Sequence, residues 1–163
     1  MPQFTFEYTT YESIQYLPSH WSPLITVARQ KAKEAYAPYS KFGVGAAILL
    51  QNGAMITGVN IENASYPVGI CAERSALASL YSSHSGIQIE AFAISTYSDI
   101  HPAGSPAFPC GMCRQFIAES VAINQRTYPI LLSAQQGEVI VIADALMLLP
   151  FHFGPQNLLQ TKP

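Results

Sequence analysis

Apolar and polar positions follow two different periods along this chain, and the switches between them mark its elements. Residues 4–9 run Phe, Thr, Phe, Glu, Tyr, Thr, the alternation of a half-buried strand. Over 22–37 the period becomes helical: Leu24, Val27, Ala28, Ala32 and Ala35 share a face, Ser22 can cap, and Pro23 suits a first turn. That helix is expected to stop at Pro38, with 37–43 as a loop. Strand-compatible runs follow at 44–50 and 54–60, and Asn52-Gly53 between them predicts a hairpin. After a polar loop at 60–66, Ala72, Ala76, Leu77 and Leu80 restore a helical period over 71–82. A strand at 89–95 leads into a loop carrying Pro102, Gly104, Pro106 and Pro109, and Met112, Phe116, Ile117, Ser120 and Val121 predict a helix opening at Cys110. Strands at 128–133 and 139–142 flank a turn at Gly137, and 143–149 predicts a short helix ended by Pro150. Helices and strands in this order predict a mixed α/β sheet with helices on both faces.

Composition narrows what such a fold can do. At 163 residues one domain is expected. Charged residues make up only 11%, well below the roughly 25% usual for soluble chains, which argues against disorder and for surface buried between subunits. A net charge of -2, with no run among the eight Lys and Arg residues, argues against binding to nucleic acid polymers. No basic stretch precedes an apolar segment at the N-terminus, and no window approaches the roughly 20 apolar residues of a membrane helix. A cytoplasmic protein without membrane association is therefore expected.

Chemistry enters with Cys71-Ala72-Glu73-Arg74 and Pro109-Cys110-Gly111-Met112-Cys113. Three cysteines cannot all pair within one chain, and a two-residue spacing without a secretion signal favours metal or redox chemistry over structural disulfides. Thiolates are natural zinc ligands, and three of them leave a coordination position for water. A closed structural site needs a fourth ligand from His20, His84, His101 or His152, none of which lies near a cysteine motif. Helix N-termini at the cysteines, and the Arg74 guanidinium, would offset the thiolate charge. Arg74 also has a plain reading as a solvated helix residue, as Glu73 does in complementing the helix dipole. Cys-x-x-Cys alone is shared by redox pairs and zinc knuckles. Cys-x-Glu followed by Pro-Cys-x-x-Cys is far more specific, because it matches the zinc deaminase signature with cysteine in place of the usual histidine.

Segments 37–47, 60–66, 71–74, 109–115 and 148–155 together make the chain resemble the small homotetrameric cytidine deaminases that bind zinc through three cysteines. The likeness spans about residues 22–158. It implies a three-layer α/β/α fold with a mixed five-stranded sheet, formed by 22–163, with 1–21 as an extension able to add a strand. It further implies one zinc ion per subunit on Cys71, Cys110 and Cys113, with Glu73 as catalytic acid and base. Phe42 would pack on the pyrimidine, Asn60 and Glu62 would bind the ribose 3′-hydroxyl, and the Ala72 backbone would contact the base. Tyr66 and Phe153 would complete sites across subunits of a homotetramer. On residue type alone, Asn60 and Glu62 read equally as turn residues. The implied reaction is hydrolysis of free cytidine and deoxycytidine to uridine and deoxyuridine plus ammonia, as in pyrimidine salvage. Two alternatives remain: a deaminase of another aminopyrimidine nucleoside such as blasticidin S, and a non-catalytic zinc-binding protein of the same fold. Ala107-Phe108 and Asp144-Ala145-Leu146-Met147 depart from the family pattern.

Overall fold

The computed structural model describes residues 1–100 and 105–158. His101 and the expected loop positions Pro102 and Gly104 lie outside them. The elements are β1 (Thr9–Tyr11), α1 (Ser22–Glu34), β2 (Gly43–Leu50), β3 (Met55–Val59), α2 (Ala72–Ser83), β4 (Ile89–Tyr97), α3 (Gly111–Asn124), β5 (Ile130–Ser133) and β6 (Val139–Ile142), with short 3-10 turns between. Among these residues no helix is long and apolar enough to cross a membrane.

The strands form one sheet in the order β1-β6-β5-β4-β2-β3. Among neighbouring strands of the described residues only β4 and β5 pair in parallel, and α3 provides the crossover that such a pair requires. Along β4, Ala91 and Ala93 face α1 with Leu24, Ile25 and Ala28, whereas Phe92 and Ile94 face α2 and α3 with Leu77, Leu80, Ile117 and Val121. Burial of both faces explains why the central strands read as continuous apolar runs. The result is the expected three-layer α/β/α arrangement.

Strand directions determine where the helices begin. Both β3 and β4 run antiparallel to β2, so they run parallel to each other and end at the same side of the sheet. Since α2 follows β3 and α3 follows β4, the two helix N-termini meet there. A crevice beyond strand carboxyl ends is the usual ligand site of open α/β sheets.

Five expectations need correction. The sheet has six strands rather than five, because β1 pairs with β6 from Thr9↔Val141 to Tyr11↔Val139. The alternating stretch at 4–9 contributes only Thr9. Phe4, Phe6 and Tyr8 are exposed, so alternation without a backbone partner does not make a strand. Trp21, not Ser22, occupies the cap position of α1, and the Ser22 hydroxyl instead donates to the Ile14 carbonyl at 3.1 Å. That helix ends at Glu34, short of 37, because Tyr36 is drawn into bridging: its N–H donates to the Asn60 carbonyl and its carbonyl accepts from Glu62. Residues 143–149 form a 3-10 turn at Ala145–Leu148, capped by Asp144, rather than an α-helix. The Asn-Gly hairpin is present, with Gly53 at φ +83 and its N–H bonded to the Leu50 carbonyl at 2.9 Å.

Glycine sets how closely the helices ride on the sheet. A Cβ at Gly45 would collide with the α1 backbone at Ala28 and Ala32, and one at Gly58 with the α2 backbone at Ala72 and Ala76. Backbone cannot yield as a side-chain tip does. Gly58→Ala is therefore expected to lower unfolding stability by about 1–3 kcal/mol or more. Chemical denaturation measures the loss, and an unchanged midpoint would contradict the close approach.

Candidate active site

Both helix starts are built from cysteine. Cys71 is the N-cap of α2 and Cys110 the N-cap of α3, while Cys113 lies in the first turn of α3. Neither cap side chain makes a capping bond to the backbone N–H groups of its helix, which leaves the sulfurs available to one another and to a metal. The three Sγ atoms lie within 4.8 Å of one another, with Cys71 to Cys110 at 4.0 Å and Cys110 to Cys113 at 3.5 Å. All three cysteines are free thiols. Zinc–sulfur bonds of about 2.3 Å at tetrahedral angles place sulfurs about 3.8 Å apart, so this donor set fits zinc. Among the described residues no histidine joins the group, which disfavours the closed structural site.

Electrostatics point the same way. Cys71 is drawn down to about 5, first by hydrogen bonding with Cys113 and then by Arg74 and Cys110 against its partial burial. Cys113 is pushed up by its bond to Cys71 and by burial. The cluster thus gives up one proton readily and resists losing the next, because like charges accumulate. A dication removes that resistance. The Arg74 guanidinium spans the Cys71 sulfur at 3.8 Å and the Gly69 carbonyl at 3.4 Å, so it is a partner of the thiolate rather than a solvated residue.

Glu73, one residue into α2, is only 5% exposed. Burial, with the nearby Cys71 thiolate, raises its carboxyl above the ordinary range. A cavity of about 180 Å³ is lined by Glu73, Cys71 and Cys110 together with Phe42, Val44, Asn60, Ile94, Thr96, Ala107 and Phe108. A neighbouring one of about 280 Å³ is lined by Asn60, Glu62, Tyr66, Cys71, Arg74 and Met112 among others.

The remaining expected residues are distributed around these spaces. Asn60 borders both, and it also holds the loop before β2, accepting from Val44 N at 2.6 Å and donating to the Phe42 carbonyl at 3.0 Å. Glu62 Oε2 accepts from the backbone of Tyr39 at 2.9 Å and Ser40 at 3.3 Å, and hydrogen bonding from the Ser40 side chain, together with these backbone bonds, holds its carboxyl below the usual range. Tyr66 is exposed, with its ring 6.0 Å from that of Tyr39. Ala72 is fully buried against the sheet, and its side chain borders neither cavity. Phe153 is exposed and borders neither; its carbonyl accepts from Gln115 at 2.7 Å.

Several residues went unassigned by sequence reasoning, Arg114 and Phe108 among them. Arg114 donates to the Pro109 carbonyl at 2.8 Å and to the Leu148 carbonyl at 3.3 Å, fixing the turn that presents Cys110. Its place immediately after Cys113 was the available signal. Phe108 forms a wall of the Glu73 cavity, and an aromatic residue next to the Pro-Cys turn was the corresponding hint.

Residues 19–128 match the family model described as the cytidine and deoxycytidylate deaminase zinc-binding region. A cytidine deaminase of Halalkalibacterium halodurans is 42% identical over 116 residues, covering 71% of this chain and 81% of that protein. One from Sporosarcina psychrophila is 36% identical over 136 residues, covering 83% and 92%. Among solved structures, the cytidine deaminase of Burkholderia pseudomallei superposes with a TM-score of 0.69 at 36% identity, covering 84% of this chain and all of that one. That of Mycobacterium tuberculosis gives 0.61 at 34% identity, covering 82% and 97%.

Removing Arg114's two bonds frees the Cys110 turn. Arg114→Leu is expected to weaken zinc affinity about 10- to 100-fold. Competition against a chromophoric chelator reads this directly, and wild-type affinity would show that the guanidinium does not position the ligand.

Proposed function

The chain belongs to the cytidine and deoxycytidylate deaminase zinc-binding family, and we propose that it hydrolyses free cytidine and deoxycytidine to uridine and deoxyuridine plus ammonia. It is a zinc-dependent hydrolytic deaminase. The observation that carries the substrate reading is the single cavity shared by a buried carboxyl, Glu73, and two of the three converging thiols. A purely structural zinc site has no use for a base in that position, which weighs against the non-catalytic alternative.

Cys71, Cys110 and Cys113 would hold the metal. Zinc bound there supplies Lewis acidity, which makes a water nucleophilic near neutral pH. Glu73 accepts the proton of the attacking water and delivers it to N3 of the pyrimidine, so that C4 becomes electrophilic. As the C4–N4 bond breaks, the same carboxyl takes the proton of the newly formed C4 hydroxyl and hands it to the departing amino group. One water is consumed and one ammonia released. A carboxyl raised by burial suits this work, because it must hold a proton between the two transfers.

Phe42 packs against the ring, and the Ala72 backbone contacts the base. Asn60 and Glu62 bind the ribose 3′-hydroxyl while holding the loop that carries Phe42. Their loop bonds use one donor and one lone pair of Asn60 and one oxygen of Glu62, so each keeps capacity for a sugar hydroxyl. Arg74 offsets thiolate charge. Tyr66 and Phe153 complete neighbouring sites in a homotetramer, a reading supported by their exposure alongside Phe151 and Met112. Residues 22–163 form the deaminase domain and 1–21 an extension to it.

Glu73→Gln is expected to retain zinc and lose turnover by about 10²- to 10⁴-fold in an absorbance assay with cytidine. Wild-type turnover by that variant removes Glu73 from the mechanism, and turnover restricted to blasticidin S reassigns the substrate. Chelation is expected to abolish deamination and added zinc to restore it. Sedimentation of the zinc-loaded protein is expected to give a tetramer, whereas a fully active monomer overturns the shared-site reading.

A further inference from the structure

Two adjacent hydroxyls on β4 have opposite fates. The Ser95 side chain points toward α1, where it donates to the Ala134 carbonyl at 3.3 Å and accepts from the Ser133 hydroxyl at 3.1 Å. Thr96 alternates to the other face, the one that Ile94 shares with α2 and α3, and it pairs across the sheet with Val44. There it is only 1% exposed, and its Oγ1 has no hydrogen-bond partner among the described residues. A buried hydroxyl left in that condition is unfavourable, and valine has the same branched shape without the cost. The hydroxyl therefore does nothing for the fold that a methyl group would not do better.

What Thr96 borders is the Glu73 cavity. The other walls there are largely apolar: Phe42, Val44, Ile94, Ala107 and Phe108. Apart from the sulfurs and Glu73, the only polar side chains lining it among the described residues are Asn60 and Thr96, and Asn60 is taken up by the loop before β2 and, in the reading above, by the ribose. An aminopyrimidine presents hydrogen-bonding atoms around its ring, which an apolar pocket leaves unmet. We propose that Thr96 is a substrate-contacting residue whose hydroxyl hydrogen-bonds the polar edge of the pyrimidine ring and thereby sets selectivity within the cavity. The inference rests on the deaminase reading given above and adds a residue to it.

The test compares Thr96→Val with Thr96→Ser in the zinc-loaded enzyme, measuring zinc content, unfolding midpoint, kcat and KM for cytidine, and uridine binding by calorimetry. Thr96→Val is expected to keep its zinc and to unfold at or above the wild-type midpoint. Its kcat/KM falls about three- to tenfold and uridine binds correspondingly more weakly, the worth of one neutral hydrogen bond. Thr96→Ser, which keeps the hydroxyl, returns both to within about twofold of wild type. Catalysis and uridine affinity unchanged in Thr96→Val overturn the proposal, as does a loss of zinc or a lowered midpoint that accounts for the defect. Absence of turnover in the zinc-loaded wild type instead defeats the deaminase reading, and this inference with it.

Discussion

Three sulfur atoms within 4.8 Å of one another are an electrostatic problem before they are a ligand set. One proton leaves easily, as the depressed Cys71 indicates, and the raised Cys113 marks the resistance that follows. Much of the architecture bears on that repulsion. Parallel β3 and β4 bring two helix starts to one end of the sheet, where the positive ends of the backbone dipoles favour thiolate. Arg74 adds a full charge from the same helix as Cys71. A dication completes the neutralisation, so the fold and the metal answer the same constraint.

The same economy recurs beside the sulfurs. Asn60 and Glu62 each anchor backbone in the 39–44 loop while bordering open space, so the side chains assigned to the sugar also fix Phe42 relative to Glu73. Geometry of this kind lets binding and alignment depend on a few residues. A loop so held gives the ring a prepared surface and leaves less ordering to be done on association.

What could be read from sequence followed from how local its cause was. Hairpin, helices and central strands were legible because turn chemistry and periodicity act over a few residues, as at Asn52-Gly53 and along Leu77 and Leu80. Cys71, Cys110, Cys113 and Glu73 were legible because spacing around helix starts is itself local. Failures arose where a distant partner decided the outcome. Residues 4–8 alternate yet pair with no strand among the described residues, whereas the short run at 9–11 became a strand because β6 offered an edge. The end of α1 was set by bridges from Asn60 and Glu62 to Tyr36, more than twenty residues away. Thr96 and Arg114 were missed for the same reason, since an unpaired hydroxyl and a carbonyl clamp exist only once chains pack.

Arg114 carries a consequence for the far end of the chain. By gripping both the Pro109 and Leu148 carbonyls, it makes the turn presenting Cys110 and the segment after β6 one mechanical unit, and Gln115 extends the grip to the Phe153 carbonyl. Anything that favours the native turn must, by linkage, favour the native course of that segment as well. Metal occupancy and protease resistance of the stretch around 148–153 thus belong to a single equilibrium, in which a ligand at one end of the unit is felt as order at the other.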